Sequence, residues 1–271
     1  QTTTSKMLVA INMGKLSAFI DDAEVQASFS EIVKCAKTLF DEDNLRHEET
    51  KRVRIVSFAN HQIFELFPEQ KNTKYPVDSL FIKKVLEKIT NKANNNEFRT
   101  AFNSSIPVGT DFDPCYVNYQ LLSIPEIQDA IVKFIIEAIV RFKLMLTPRE
   151  LFDFIYRIVV PDSYATFNPS KDFFKSLLPS ILFAGGENKI LKCLAQLDPL
   201  KHGSIDHNDY LSELFTSIEI PKEECFDNLK GKLHPRFFEI LSEYYKNNRN
   251  NVEDISKLLF RLKHLLDYHS E

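Results

Sequence analysis

Six glycines in 271 residues are too few for nucleotide chemistry built on glycine loops. A phosphate-binding loop needs G-x-x-x-x-G-K-[ST], whose glycines let backbone amides approach the phosphates. Gly14-Lys15 continues into Leu16 and has no glycine upstream, and Gly231-Lys232 fails in the same way. A dinucleotide fingerprint is excluded on the same ground. No acid ends either apolar run that reads as a strand, so a Walker-type Mg²⁺ ligand is missing too. Tryptophan is absent, and the four cysteines (Cys35, Cys115, Cys193, Cys225) stand far apart without a CxxC pair. Reduced thiols in a cytoplasmic protein are expected, not a disulfide framework. No GxSxG, HExxH or clustered Cys/His set occurs, so no resident metal is expected. The formal charge of −4 gives no overall basic field to hold nucleic acid. No charged-then-apolar leader follows Gln1. The longest apolar stretch, Ile124 to Leu146, is broken by Glu126, Asp129, Lys133, Glu137, Arg141 and Lys143. A membrane partner is therefore not expected.

What is abundant is apolar material, 44% of residues, with 23 phenylalanines. Met7–Ile11 and Val53–Phe58 read as buried strands, the first ending at Asn12. Residues 41–52 read as a charged loop. The spacing of Ile32, Val33, Ala36 and Phe40 predicts a helix, and Asp78 is expected to cap another through Leu80, Phe81, Val85 and Ile89. Residues 99–118 carry Pro107, Gly109 and Pro114 and read as an ordered surface loop. Beyond them the pattern turns helical. Ser123-Ile124-Pro125-Glu126 and Thr147-Pro148-Arg149-Glu150 are helix starts, and further helices are predicted over 171–183, 189–197, 208–214, 237–246 and 252–268.

Four features bear on chemistry. Asn12, at the end of an apolar run, either satisfies a turn or orients a water, since its amide both donates and accepts. Arg149 sits in a first helical turn, where a cation opposes the helix dipole; it is compensated by a phosphate or by Glu150 or Asp153. Residues 198–209 resemble a calcium loop with Gly203 in the turn, but Leu200 and His202 occupy oxygen-ligand positions. Lys84, Lys88 and Lys92, with Lys83 and Arg99 nearby, form either a solvated face or a contact for DNA phosphates.

Taken in order, LVAINMGKL (8–16), LTPRELFDFIYRIVVP (146–161), LLPSILF (177–183) and LDPLKHGSIDHNDYLSEL (197–214) resemble the C-terminal part of the phosphorothioation-dependent DNA restriction protein family DptF. These are P-loop ATPases of bacterial defence that act with partner subunits. The resemblance covers about residues 7 to 217. It implies a mainly α protein with a small α/β N-terminal part, the remnant of a P-loop (AAA+-like) ATPase sheet followed by a helical lid. Residues 1–98 would be the C-terminal half of the ATPase domain and 99–271 a helical lid and interaction domain. Asn12 would match the first sensor and Arg149 the second. ATP and Mg²⁺ would bind in a full-length parent, while this chain alone is expected to be inactive. Partners would be other restriction subunits, with DNA as a further one. A helical interaction module without catalysis and a degenerate EF-hand-like calcium binder are the alternatives.

Overall fold

The computed structural model describes residues 7–41, 47–50, 52–56, 63–66, 77–92, 95–105, 113–162, 164–166, 172–201 and 252–268, with single positions at 208, 209, 212, 237 and 239. The chain divides into two compact units, Gln1–Gln62 and Ile63–Glu271.

Among its described residues the first unit has three short helices and a two-stranded ladder. Asn12 caps α1 (Met13–Asp21) by accepting from the Lys15 amide at 2.8 Å. Asp22 ends α1 and starts α2 (Ala23–Ser28), accepting from Glu24 and Val25 N–H. The Gln26 amide donates to the Ile20 carbonyl at 2.8 Å, satisfying the end of α1. Helix α3 (Ser30–Asp41) completes a small core of Leu16, Ile20, Val33 and Ala36, against which Phe19, Phe40 and Ile55 pack.

Here the structure corrects the expected sheet. Met7–Ile11 is not a strand: the segment is unpaired and exposed, Leu8 at 99%. The second run is a strand only over Arg54–Val56 (β2), and it pairs antiparallel with β1 (His47–Glu49) from the expected loop, His47 opposite Val56. A five-residue apolar run carries no period that fixes its partner, and this unit offers Met7–Ile11 no sheet. A parallel pair joined by a helix is therefore not formed among the described residues.

Among its described residues the second unit is mainly helical, with a short ladder, β3 (Glu65–Leu66) with β4 (Val77–Asp78). Its centre is α7 (Pro125–Phe142), with Ile127, Ala130, Ile131, Phe134, Ile135 and Ala138 buried. The charges within α7, Glu126, Asp129, Lys133, Glu137 and Arg141, fall three or four residues apart, as one stripe. Along it Asp129 meets Lys83 at 3.1 Å, Glu137 meets Arg141 at 3.0 Å, and Lys133 donates to the Tyr268 carbonyl at 2.9 Å. No described helix is long and apolar enough to cross a membrane. Around α7 lie α4 (Leu80–Thr90), α6 (Pro114–Leu122), α10 (Lys189–Leu194) and α11 (Val252–Asp267). Helices α5 (Glu97–Ser105), α8 (Pro148–Val159) and α9 (Leu178–Ala184) complete the layer.

Three expectations shift in this unit. The boundary at 98/99 moves to 62/63, because Ile82 and Leu86 of α4 are buried in the same core as α7. The expected loop 99–118 contains parts of α5 and α6, with Pro114 in the first turn and the Asp113 carboxylate accepting from the Cys115 amide. The helix expected over 171–183 breaks into a 3₁₀ turn, Phe174–Ser176, and α9, since Pro179 fits only a first turn. Asn118, wholly buried, bridges that break: its amide donates to Ser176 and Val159 carbonyls at 2.8 and 3.2 Å and accepts from the Leu178 N–H at 2.6 Å. Helices expected over 208–214 and 237–246 lie largely outside the described residues.

Candidate functional site

The start of α8 is built as its sequence requires. Thr147 and Glu150 form a reciprocal capping box: the Thr147 hydroxyl accepts from the Glu150 N–H at 3.2 Å, and the Glu150 carboxylate accepts from the Thr147 N–H at 3.0 Å. Leu151, Phe154, Ile155 and Ile158 are buried. The opposite face, at spacings of three and four, carries Arg149, Phe152 and Tyr156, the last two 51% and 62% exposed.

The acids expected to balance Arg149 are engaged elsewhere. Glu150 takes the Lys189 ammonium at 2.6 Å, which together with Thr147 holds its carboxyl below the usual range. Asp153 accepts from the Asn188 amide at 2.8 Å and from Arg157 Nε at 3.1 Å, and its carboxyl is lowered for those reasons, with a smaller contribution from Arg149. Arg157 also reaches Asp162 at 2.8 Å. Asn188 is itself fixed, capping α10 through the Ile190 and Leu191 N–H groups. Arg149 is exposed and has no hydrogen bond or ion pair among the described residues. The result is one free guanidinium at a helix N-terminus beside two exposed rings. It is suited to hold a phosphate or carboxylate and supplies no nucleophile or base.

A depressed carboxyl contributes stability that is present above its unfolded value, about 4.3, and lost as pH falls through its folded value. Glu150→Gln should therefore flatten the acid limb of the melting curve below about pH 4.5. The size is about 0.5 kcal/mol, since Lys189 is solvent-screened. An unchanged acid limb would contradict the assignment.

The remaining expected residues fall as follows. Asn12 is exposed, no strand precedes it, and its amide oxygen caps α1. Lys84 and Lys88 are exposed on α4, whereas Lys92 lies beyond its last residue, Thr90, so the three do not form one helical stripe. Lys83 is taken by Asp78 at 2.8 Å and Asp129 at 3.1 Å. Asp198, first position of the calcium-like loop, is buried in a bidentate pair with Arg261 at 2.6 and 3.2 Å. Residues 202–207 of that loop lie outside the described residues. Cys115 faces Asp113 and Tyr164; burial and the Asp113 charge push its thiol up to about 12, so it is no thiolate nucleophile at neutral pH. Among the described residues no three His, Cys, Asp or Glu gather as metal ligands.

Sequence reasoning missed that Asn188 and Lys189 would draw the acids away from Arg149. The only signal was an Asn-Lys pair at a helix start about 40 residues downstream, which spacing cannot connect to α8. Comparison with family models, with curated proteins and with solved structures gives no match.

Proposed function

We propose that this chain is the C-terminal, non-catalytic part of an ATPase subunit of a phosphorothioation-dependent DNA restriction system, with α8 as the lid helix and Arg149 as its phosphate-sensing cation. The observation that carries this is the freedom of Arg149: two acids lie one and four residues away, yet both are held by Lys189, Asn188 and Arg157. A cation in a first turn opposes the dipole by a few tenths to about 1 kcal/mol, a cost that an anionic ligand would reverse. The order of sequence patches supports the parent family.

The residues present do not amount to a MgATP site. Among the described residues Arg149 is available without an acid cluster beside it, the sequence has no glycine loop, and no chemical step is assigned to these residues. The loop and acids would come from a Walker-bearing segment of the parent. Partner subunits of the same system are the expected associates, and the exposed Phe152 and Tyr156 favour α8 as a docking face as well. A helical interaction module without nucleotide is the second reading, carried by those two rings.

The test is nucleotide affinity by calorimetry on the parent chain, with and without Arg149→Ala, beside pull-down of partner subunits. The expected result is at least tenfold weaker ATP binding for Arg149→Ala with partner capture intact. Unchanged ATP affinity together with capture lost in Phe152→Ala/Tyr156→Ala would establish the second reading and overturn the first.

A further inference from the structure

The corner between α4 and α5 gathers cations and exposed rings on one rigid frame. Asn96 builds it. Its side-chain oxygen accepts from the Phe98 and Arg99 N–H groups at 3.1 and 3.4 Å, starting α5, while its amide donates to the Ile89 and Asn91 carbonyls at 3.1 and 2.9 Å, closing α4. The Tyr119 hydroxyl also donates to the Ile89 carbonyl, at 2.8 Å, and Phe102 stacks on the Tyr119 ring at 4.0 Å, so both helices are seated on α6. One buried side chain thus sets the last turn of α4 beside the first turn of α5.

Along this frame Phe98 is 57% exposed in the first turn of α5, at the corner, and Phe81 is 44% exposed in the first turn of α4, at the helix end away from it. Lys84, Lys88 and Lys92 are exposed there, with no ion pair among the described residues, whereas neighbouring Lys83 is consumed by two aspartates. With Arg99 these make four cations against the two exposed acids Glu87 and Glu97, a local positive excess on a chain of net −4. Free lysines flanked by exposed aromatic faces match a backbone of phosphates carrying unpaired bases: the cations displace counterions and the rings stack on bases of any identity. A duplex would satisfy only the cations, because its bases are already stacked. We infer that the α4–α5 corner binds single-stranded DNA, with Lys84, Lys88 and Lys92 on phosphates and Phe81 and Phe98 on bases. The inference does not depend on Arg149.

Fluorescence anisotropy on the 271-residue chain tests it, using a labelled thymidine oligomer of about 20 nucleotides and a duplex of equal length. Expected are at least tenfold tighter binding of the oligomer and about a tenfold loss in Phe98→Ala, the range for one lost stacking contact. Lys84→Gln/Lys88→Gln should lower the log–log salt slope by about 1.4, two phosphate contacts on a single strand. Lys37→Gln/Lys143→Gln, the same charge change at exposed positions elsewhere, should leave binding unchanged. All these side chains are exposed, so unaltered melting temperatures are expected and separate lost contacts from lost fold. Equal affinity for the duplex, equal affinity for polyglutamate, no measurable binding at low salt, or an unchanged affinity in Phe98→Ala would each overturn it.

Discussion

Asn118→Leu should lower the unfolding free energy by about 3–5 kcal/mol, read as a shift in denaturant midpoint at unchanged slope. Leucine keeps the branched shape but is larger, so no cavity forms and some overpacking against atoms now at 2.6–3.2 Å adds to the loss. What is lost is polar partnership in a dry interior. The Val159 and Ser176 carbonyls lose their donor and the Leu178 N–H its acceptor, all held now at 2.6–3.2 Å by one wholly buried amide. Each buried backbone group left unpaired costs about 1–3 kcal/mol, and the three groups share one site, so their costs do not simply add. A domain is stable by about 5–15 kcal/mol, which makes this a large fraction of the whole. Asn118→Asp should be as damaging, since a carboxylate would then face two carbonyl oxygens. Asn103→Leu, on the exposed side of α5, should stay within about 0.5 kcal/mol. A small effect at Asn118 would mean that the 3₁₀ turn and α9 do not need that bridge.

The same residue shows where the sequence stops being readable. Asn118 lies in a stretch with two prolines and a glycine, and a polar residue with no apolar period around it looks solvent-facing. Its burial is decided by carbonyls 41 and 58 residues away. By contrast, the start of α8 was legible to the residue, and the first-turn proline of α7 with it, although the caps of α7 and α4 fall one position on from Ser123 and Asp78, at Ile124 and Ser79. A proline in the first turn and a Thr-x-x-Glu box act within four positions, and the structure places both there. The apolar run Met7–Ile11 failed for a related reason: its composition fits a strand, but a strand exists only with a neighbour, and none pairs with it among the described residues. For Arg149 the position was legible and the electrostatic surroundings were not. Helix spacing points to Glu150 and Asp153 as its neighbours, while Lys189 and Asn188 reach both acids from a helix distant in sequence. Local rules therefore located the candidate cation, and long-range packing determined that it is free.

Breaking the Asp198–Arg261 pair should have an effect of similar size, and it also decides the calcium question. The two side chains are 5% and 13% exposed, and two hydrogen bonds join them while the Arg261 guanidinium lies 5.9 Å from the Phe183 ring centroid. Removing one member of a buried pair leaves an uncompensated charge and costs about 3–5 kcal/mol, whereas removing both is often close to neutral. Arg261→Met should therefore be strongly destabilising, and Asp198→Leu/Arg261→Met should recover most of the loss, giving a large coupling in the double-mutant cycle. In the native chain the Asp198 carboxylate is already spoken for by Arg261 and by the Leu200 N–H at 3.2 Å. Moving it onto a cation would sacrifice the pair before any ligand energy is gained, and the third and fifth loop positions, Leu200 and His202, bring no side-chain oxygen. Millimolar calcium should leave the melting temperature of the native chain unchanged, although a ligand that binds the folded state at 100 times its Kd would add about 2.7 kcal/mol. A calcium-dependent rise would show that the loop can detach Asp198 from Arg261, and with it α11 from the turn that follows α10.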